Sequence, residues 1–273
     1  LANAGGGAIM STSSTSVQPP DFSLKDRIAL ITGAGRGIGL GIARALASAG
    51  CAVAIQDLDL DVAREAADAL QKSGVRAIAL GGDITRAALA PKLIRDTFKK
   101  LGGLHILINN ASIQSTQHWT KLVQKEFQRT MQANLFTPIR LCQEAEPILR
   151  KQRWGRIVNV GSIQQMTGNE TMLAYAMSKA ALENMTIALA RDFAADGVTV
   201  NNLAPGYFHT LRNPQLKTAA QRRAAGRRIP VGRVGLPEDA GGVALLLCSP
   251  AGRYITGQTI YVDGGLSVRF GPK

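Results

Sequence analysis

Short runs of β-branched residues alternate with longer segments of helical period along nearly the whole chain. These runs lie at residues 28–32, 52–56, 75–80, 105–109, 156–160, 199–203 and 259–262. They are apolar at almost every position, as expected for strands that helices cover on both faces. The alternation therefore predicts an α/β fold with one doubly wound parallel sheet.

The segments between the strands predict helices at 37–49, 62–72, 87–101, 121–151, 174–195 and 237–248. Residues 1–20 are mostly small and polar and end in Pro-Pro, so we expect them to form a disordered tail. Residues 21–273 show no second linker and are predicted to form a single domain. Within it, residues 206–230 form one long insertion, which we expect to be a substrate lid because ligands bind beyond the carboxyl ends of such strands.

The charge of the chain is strongly positive and unevenly distributed. The net charge is +13, and no Asp or Glu occurs from Gly197 to Pro237. Seven basic residues lie in this stretch: Arg212, Lys217, Arg222, Arg223, Arg227, Arg228 and Arg233. No helix-turn-helix, zinc or RNP signature accompanies them, so we expect no nucleic-acid partner. Two interpretations remain open, a solvated basic face and attraction of an anionic substrate or cofactor.

The cysteines and the hydropathy restrict the cellular context. Cys51, Cys142 and Cys248 lie in separate segments, and none forms a CxxC or His-Cys cluster. Neither a metal site nor a disulfide framework is therefore expected. No stretch approaches the roughly 20 apolar residues of a membrane span. We accordingly expect a cytoplasmic protein with reduced thiols and no membrane contact.

A glycine-rich turn, TGAGRGIG at residues 32–39, stands between the first predicted strand and the first helix. Glycine permits positive φ and lets the backbone approach a pyrophosphate, to which the helix N-terminus offers free N–H groups. The position predicts a dinucleotide-binding, Rossmann-type domain. The expected cofactor-binding residues of the turn are Gly33, Arg36, Gly37, Ile38 and Gly39.

Asp57 ends the second predicted strand, where an acid can bind the ribose hydroxyls of the adenosine. A carboxylate there repels the additional phosphate of NADP, and the next residue is Leu58 rather than a basic one. Arg36 argues the other way, because it could pair with that phosphate. We therefore expect NAD as the cofactor, with NADP less favoured.

Tyr175 and Lys179 are four residues apart on a predicted helix and so share one face. A Tyr has an ordinary pKa near 10, too high for an efficient base at neutral pH, and a neighbouring ammonium stabilises the phenolate. Ser162 follows a predicted strand at its carboxyl end, and Asn134 lies on the preceding long helix. Together these four side chains predict an acid-base site.

The ordered set of motifs resembles the short-chain dehydrogenase/reductase family from Phe22 to Lys273. The motifs are TGAGRGIG (32–39), Asp83, NNAS (109–112), Asn134, Ser162, YAMSK (175–179), PGYFHT (205–210) and ITGQTIYVDGG (255–265). The family usually has Gly where this chain has Ser112, which leaves the geometry of that loop open.

The resemblance implies a role for each matching residue. Tyr175 would transfer the substrate proton, Lys179 would lower its pKa and hold the nicotinamide ribose, and Ser162 would bind the substrate oxygen. Asn134 would anchor a water relay. The remaining implied cofactor contacts are Asp83 at the adenine, Asn110 at the ribose, Thr210 at the carboxamide end, and Ile84, Pro205 and Gly206. The resemblance also implies a homotetramer or homodimer formed through the helices at 121–151 and 174–195 and the C-terminal strand.

Finer features resemble the gluconate 5-dehydrogenase branch, which acts on sugar acids and polyols. They are residues 21–25, 167–171 and 263–273. The basic insertion would suit a carboxylate, since Arg offers a matching fork. Three amides after Ser162 either bind substrate hydroxyls or are merely solvated: Gln164, Gln165 and Asn169. The expected activity is thus NAD(H)-dependent interconversion of a secondary alcohol and a ketone on a small, possibly anionic substrate.

Three alternatives remain. A 3-oxoacyl-(acyl-carrier-protein) reductase would use Arg140 to dock its carrier, but Asp196 stands where a second base is expected. A dehydrogenase of hydrophobic alcohols would line its pocket with Trp119, Met166, Met172 and Phe208. Outside enzymology, the chain could be a dinucleotide-sensing or nucleic-acid-binding protein, although such a protein has no need of all four acid-base residues.

Overall fold

The computed structural model describes residues 18–268, and the predicted tail falls outside this range up to residue 17. Seven strands form one parallel sheet in the order β3-β2-β1-β4-β5-β6-β7. Their bounds are β1 Ile28–Thr32, β2 Ala52–Asp57, β3 Ala77–Gly81, β4 Ile106–Asn109, β5 Gly155–Val160, β6 Val198–Pro205 and β7 Thr259–Val262. Every residue of β1, β2, β4, β5 and β6 is buried, because helices cover both faces of the sheet.

Helices connect the strands as the alternation predicts. Their bounds are α1 Gly37–Ser48, α2 Leu60–Lys72, α3 Leu89–Leu101, α4 Gln124–Met131, α5 Thr137–Gln152, α6 Gln164–Thr167, α7 Leu173–Phe193, α8 Ala219–Gly226 and α9 Pro237–Cys248. The short helices α6 and α8 were not anticipated. Neither is long enough to show a clear hydrophobic period.

Two hydrophobic clusters, one on each face of the sheet, hold the layers together. Ile42 of α1, Leu70 of α2 and Leu247 of α9 pack in one cluster. Leu93 of α3, Leu141 of α5 and Phe193 of α7 belong to the other cluster. The doubly wound α/β architecture predicted from the sequence is therefore confirmed.

The strand order reverses between β1 and β4, which are adjacent in the sheet. In an open parallel sheet this reversal creates a crevice beyond the carboxyl ends of the two strands, where ligands bind. The glycine-rich turn after β1 and the NNAS segment after β4 both open onto it. The fold thus brings together two motifs that are more than 70 residues apart in the chain.

The long helix predicted at 121–151 is interrupted. A π-helical turn, Gln132–Phe136, separates α4 from α5. Pro138 lies in the first turn of α5 and has no N–H to donate to the carbonyl of Asn134, four residues earlier. The proline therefore explains the wider turn, and Asn134 lies inside it rather than in a regular helix.

The insertion folds as a small unit at the end of the sheet, which we call the basic segment (residues 206–236). A bridge between Phe208 and Gly235 joins its two ends. Thr218 and Gln221 form a capping box that starts α8. Leu216, Ile229 and Val234 of this segment form a separate hydrophobic cluster.

The three cysteines are free and buried. Among residues 18–268, no group of three or more His, Cys, Asp or Glu side chains could hold a metal ion. Within the same range, every helix is too short or too polar to cross a bilayer.

Candidate active site

One cleft of about 820 Å³ lies at the carboxyl ends of the strands. All the predicted cofactor and catalytic residues line it except Asn134. Residues from the glycine-rich turn lie at one end, while Ser162, Tyr175 and Lys179 lie among the residues of the other. The sheet thus assembles a dinucleotide-sized groove that ends beside an acid-base group.

The glycine-rich turn is closely packed. Gly33 has φ +61°, and a Cβ on it would lie 2.9 Å from the Cα of Ala111. A Cβ on Gly39 would lie 2.5 Å from both the Nδ2 of Asn110 and the carbonyl oxygen of Gly33. Side chains at these positions would displace backbone, so glycine is required for the turn to close.

Helix α1 begins directly after the turn with unsatisfied donors. Arg36 is its N-cap and makes no side-chain capping bond, and the first turn carries no acidic residue. The free N–H groups and the positive end of the helix dipole therefore face the cleft without a competing anion. This arrangement fits the pyrophosphate of a dinucleotide.

Asn110 supports the turn from the neighbouring strand. Its Nδ2 donates to the carbonyl oxygens of Thr32 at 2.8 Å and Gly33 at 2.9 Å. Gln56, which the sequence analysis did not single out, accepts from the N–H of Gly33 at 3.2 Å. Asn110 thus positions the turn, in addition to the ribose contact that the resemblance implies.

Asp57 lies at the end of β2 against the same turn. One of its carboxylate oxygens accepts from the N–H of Gly35 at 3.1 Å. The side chain is buried, whereas Leu58 beside it is 71% exposed. A fixed carboxylate therefore lines the cleft beside the glycine-rich turn, and Arg36 of that turn also lines it.

The other implied cofactor contacts line the cleft between these two ends. Asp83 accepts from the N–H and the hydroxyl of Thr85 at 2.9 and 2.8 Å. The bond from the backbone N–H holds the pKa of Asp83 below its usual value. Thr210 lies over Gly37 of the turn, and Ile84, Pro205 and Gly206 complete the wall.

Tyr175 and Lys179 lie together on α7 and are both buried. The Nζ of Lys179 is 5.7 Å from the centre of the Tyr175 ring and donates to the carbonyl oxygen of Val160 at 2.6 Å. Burial is the main cause that lowers the pKa of Lys179 to about 7, and the charge of Arg212 lowers it further. The lysine therefore titrates near neutrality.

The pKa of Tyr175 is raised, whereas the sequence analysis expected it to be lowered. Burial raises this pKa above its ordinary value, while Arg212 and Ser162 act to lower it. Both of these side chains line the cleft beside Tyr175. The cation that favours the phenolate is thus Arg212. Lys179 does not lower the pKa of Tyr175, contrary to the expectation from the sequence.

Asn134 lies behind the wall of the cleft and is fully buried. Its Oδ1 accepts from the N–H of Ile113 at 2.8 Å, and its Nδ2 donates to the carbonyl oxygen of Ile113 and the hydroxyl of Ser178. The side chain therefore fixes the loop after β4 to α7. A water relay would instead use the backbone carbonyl of Asn134. Pro138 has no N–H, so this carbonyl lacks the hydrogen bond that position 138 gives in a regular helix.

Arg212 is a site residue that the sequence analysis placed only among the basic residues. Its Nη1 donates to the Oγ of Ser112 and its Nη2 to the carbonyl oxygen of Ser112, both at 2.7 Å. Ser112, which stands where the family usually has Gly, is thus bonded to Arg212 of the basic segment. A serine where the family usually has Gly, together with an acid-free basic insertion, was the only signal in the sequence.

Only some of the candidate substrate contacts line the cleft. Gln164, Met172 and Phe208 line the cleft. Gln165 instead accepts from the N–H of Ser162, and Asn169 caps the N–H of Thr171. The remaining two, Trp119 and Met166, are exposed and do not line the cleft, so the proposed apolar pocket for hydrophobic alcohols does not assemble as expected.

The fold and the cleft define a class of protein, an oxidoreductase with a Rossmann-type sheet and a dinucleotide-sized groove. A family model described as enoyl-(acyl carrier protein) reductase matches residues 33–267. The chain belongs to the short-chain dehydrogenase/reductase family. The resemblance stated from the sequence motifs is thereby confirmed.

Relatives of two activities are similar to this chain over nearly its whole length. It is 35% identical to a 3-oxoacyl-(acyl-carrier-protein) reductase of Vibrio cholerae, covering 90% of this chain and 99% of the relative. The crystal structure of a gluconate 5-dehydrogenase from Burkholderia cenocepacia in complex with NADP and tartrate has 34% identity and a TM-score of 0.85, covering 92% and 99% of the two chains. A 3-oxoacyl-(acyl-carrier-protein) reductase from Agrobacterium tumefaciens with NADP bound has 34% identity and a TM-score of 0.84, covering 89% and 95%.

Proposed function

We propose that this protein is an NAD(H)-dependent oxidoreductase that interconverts a secondary alcohol and a ketone on a sugar acid or polyol. The observation that carries the proposal is the buried Tyr175 side chain, which lines a dinucleotide-sized cleft together with Ser162 and lies on one helix with Lys179. A dinucleotide-sensing protein would have no need of this arrangement.

In the direction of reduction, the Tyr175 hydroxyl donates its proton to the carbonyl oxygen of the substrate. The hydroxyl of Ser162 donates a second hydrogen bond to the same oxygen and holds it in place. Arg212 stabilises the phenolate that Tyr175 becomes, because positive charge favours the ionised form. In oxidation the phenolate accepts the proton of the alcohol.

The cofactor would be held by the uncapped N-terminus of α1 at its pyrophosphate, by Asp57 at its adenosine ribose and by Lys179 at its other ribose. When bound, a nicotinamide dinucleotide supplies or accepts the hydride. The uncapped helix and the glycine turn fit this group, as described above. The residues of the chain contribute orientation and proton transfer.

We propose NAD rather than NADP, although two of the similar crystal structures contain NADP. The support is Asp57, whose carboxylate is buried at the end of β2 and held by Gly35. Replacing Asp57 by Ala should raise kcat/KM for NADP at least tenfold, since the repulsion between its carboxylate and the additional phosphate of NADP is removed. The same change should lower kcat/KM for NAD by a similar factor because the ribose hydroxyls lose their acceptor.

Steady-state kinetics with both dinucleotides would measure this switch, with Asp61→Ala as the control. Asp61 lies on α2 and pairs only with Arg64 at the surface, so its loss should leave the ratio of the two kcat/KM values unchanged. A wild-type enzyme that prefers NADP, with a ratio unaffected by Asp57→Ala, would refute the assignment.

The sugar-acid substrate is supported by the excess positive charge beside the cleft. Arg212 and Gln164 line the cleft, and Asn213 and Gln215 follow Arg212 with further polar groups. The similar enzyme from Burkholderia cenocepacia, a gluconate 5-dehydrogenase, binds tartrate in its crystal structure. The test is NADH consumption by the purified protein with 5-ketogluconate and related keto acids.

A second candidate is reduction of a 3-oxoacyl thioester on an acyl carrier protein, which the similarity to the Vibrio cholerae reductase favours. Carrier docking is not supported by the charges at the two candidate positions. Arg140 pairs with Glu144 at 2.7 Å, and Asp196 is paired with Arg150. Turnover of an acetoacetyl thioester but of no sugar acid would nevertheless move this activity to first place.

We also propose that the protein forms a homodimer or homotetramer in the cytoplasm. Large apolar side chains on the helices that the family resemblance implicates are exposed, among them Phe136, Met177 and Ile187. Ile187→Glu should lower the assembled mass because a charge would be buried in the contact. Light scattering would measure it, with Phe98→Glu on α3 as the control, and a monomeric wild type would contradict the proposal.

A further inference from the structure

Arg212 is held over the reaction centre by contacts that leave its charge unpaired. Ser112 accepts from both Nη1 and Nη2, and Arg212 lines the same cleft as Tyr175 and Lys179 and lies close enough for its charge to act on both. No Asp or Glu within residues 18–268 forms an ion pair with Arg212. The acids that line the cleft are Asp57 and Asp83, both among the residues assigned to the adenosine part of the cofactor. A cation thus faces the reacting position without a protein counterion.

The guanidinium also has donors to spare. Arg carries five N–H groups in a planar fork, and the contacts with Ser112 use two of them. The remaining donors can bind a carboxylate, which is the anion that matches this fork. Other basic residues of the segment are engaged elsewhere. Arg233 pairs with Asp239 at 2.6 Å, and Arg222 donates to the carbonyl oxygens of Leu216 and Lys217.

We infer that Arg212, positioned by Ser112, forms a carboxylate-binding subsite that selects 2-oxo or 3-oxo acids and the corresponding hydroxy acids. This inference rests on the proposed function and specifies its substrate. The reacting oxygen of the substrate would bond the Tyr175 hydroxyl, and Arg212 lines the cleft beside that hydroxyl.

The proximity of Arg212 to Tyr175 limits where the carboxylate can lie on the substrate. A carboxylate on the carbon next to the ketone, or one carbon further, reaches the guanidinium while the ketone stays on Tyr175 and Ser162. A carboxylate four carbons away, as in 5-ketogluconate, would have to fold back over the reaction centre. The subsite therefore favours 2-ketogluconate over 5-ketogluconate among the sugar acids.

Ser112 is a positioning residue in this scheme. Its Oγ accepts one of the two bonds that orient the guanidinium, and a glycine at this position would keep only the carbonyl acceptor. Ser112→Gly should therefore weaken recognition of the carboxylate without removing the charge. We expect its effect to be smaller than that of replacing Arg212.

The test compares two substrates that differ in one group. 2-Ketogluconate and fructose have the same carbon chain and the same ketone, but C1 is a carboxylate in the first and a hydroxymethyl group in the second. In the wild type, kcat/KM for 2-ketogluconate should exceed that for fructose. Arg212→Gln should lower this ratio by about 10- to 100-fold, mainly through KM, as for loss of a hydrogen bond to a charged group.

Two further variants sharpen the result. Arg223→Gln removes the same charge from the same segment at an exposed position outside the cleft, and it should leave the ratio unchanged. Ser112→Gly should lower the ratio by about three- to tenfold. The dissociation constant for NADH should stay within about twofold in every variant, which excludes a general loss of structure.

The outcomes separate the inference from the proposed function. If Arg212→Gln lowers kcat/KM equally for 2-ketogluconate and fructose, the arginine serves Tyr175 alone and the subsite is refuted, while the oxidoreductase stands. A wild type that prefers 5-ketogluconate to 2-ketogluconate also overturns the subsite. If the wild type reduces no ketone of the panel and no acyl thioester, the proposed function fails and the subsite fails with it.

Discussion

Replacing Tyr175 by Phe should lower kcat at least 100-fold while the affinity for NADH stays within about threefold. In the proposed mechanism this hydroxyl transfers the proton to the substrate, and a general acid-base group contributes about 10²- to 10⁴-fold. The ring itself stays, so the packing of α7 is preserved. Stopped-flow turnover and fluorescence titration of NADH would measure the two quantities on the same preparation.

Tyr254→Phe is the matched control, because Tyr254 is fully exposed and does not line the cleft. It should keep both turnover and NADH affinity. A Tyr175→Phe variant that retains more than a tenth of the wild-type kcat would remove Tyr175 from the mechanism, unless product release limits the wild-type rate. A single-turnover measurement distinguishes these cases.

Replacing Gly39 by Ala should weaken NADH binding at least tenfold and lower the free energy of unfolding by about 1–3 kcal/mol, as for overpacking of a close contact. The added Cβ would lie 2.5 Å from the carbonyl oxygen of Gly33 and 2.8 Å from the Cα of Ala34. Both atoms belong to the backbone of the turn, so relief requires the turn itself to move. Calorimetric titration and denaturant unfolding would measure the two effects.

Gly242→Ala supplies the comparison, because a Cβ there meets nothing within 4 Å. It lies inside α9, where Ala is a better helix former than Gly by about 1 kcal/mol. This variant should therefore be as stable as the wild type or more so, with NADH affinity unchanged. Equal effects of the two substitutions would show that the turn tolerates a side chain and that its packing does not govern binding.

The sheet and the helices that flank it follow from the sequence, because buried parallel strands leave continuous apolar runs and covering helices leave a regular period. The strand predicted at 28–32 and the helix predicted at 237–248 have the same bounds in the structure. The break at Asn134 could not be located from periodicity, since a π-helical turn shifts the pattern by a single residue. Pro138 was its only local sign.

The cofactor end of the cleft was predictable for a similar reason. Its residues come from a contiguous turn and from strand ends, and a parallel sheet places strand ends along one edge. Arg212 was not predictable as a site residue, because its position depends on how the basic segment folds back over the loop at Ser112. No spacing rule relates two residues 100 positions apart in a loop and an insertion.

The separate hydrophobic cluster of the basic segment affects how the cleft opens. Leu216, Ile229 and Val234 pack among themselves and against Tyr207, Ala225 and Leu266 rather than in the two large clusters of the sheet. Such a unit can unfold locally at a lower free energy than the sheet. Amide protons of α8 should therefore exchange faster than those of β5, and each opening would lift Arg212 from Ser112 while Tyr175 and Lys179 stay in place.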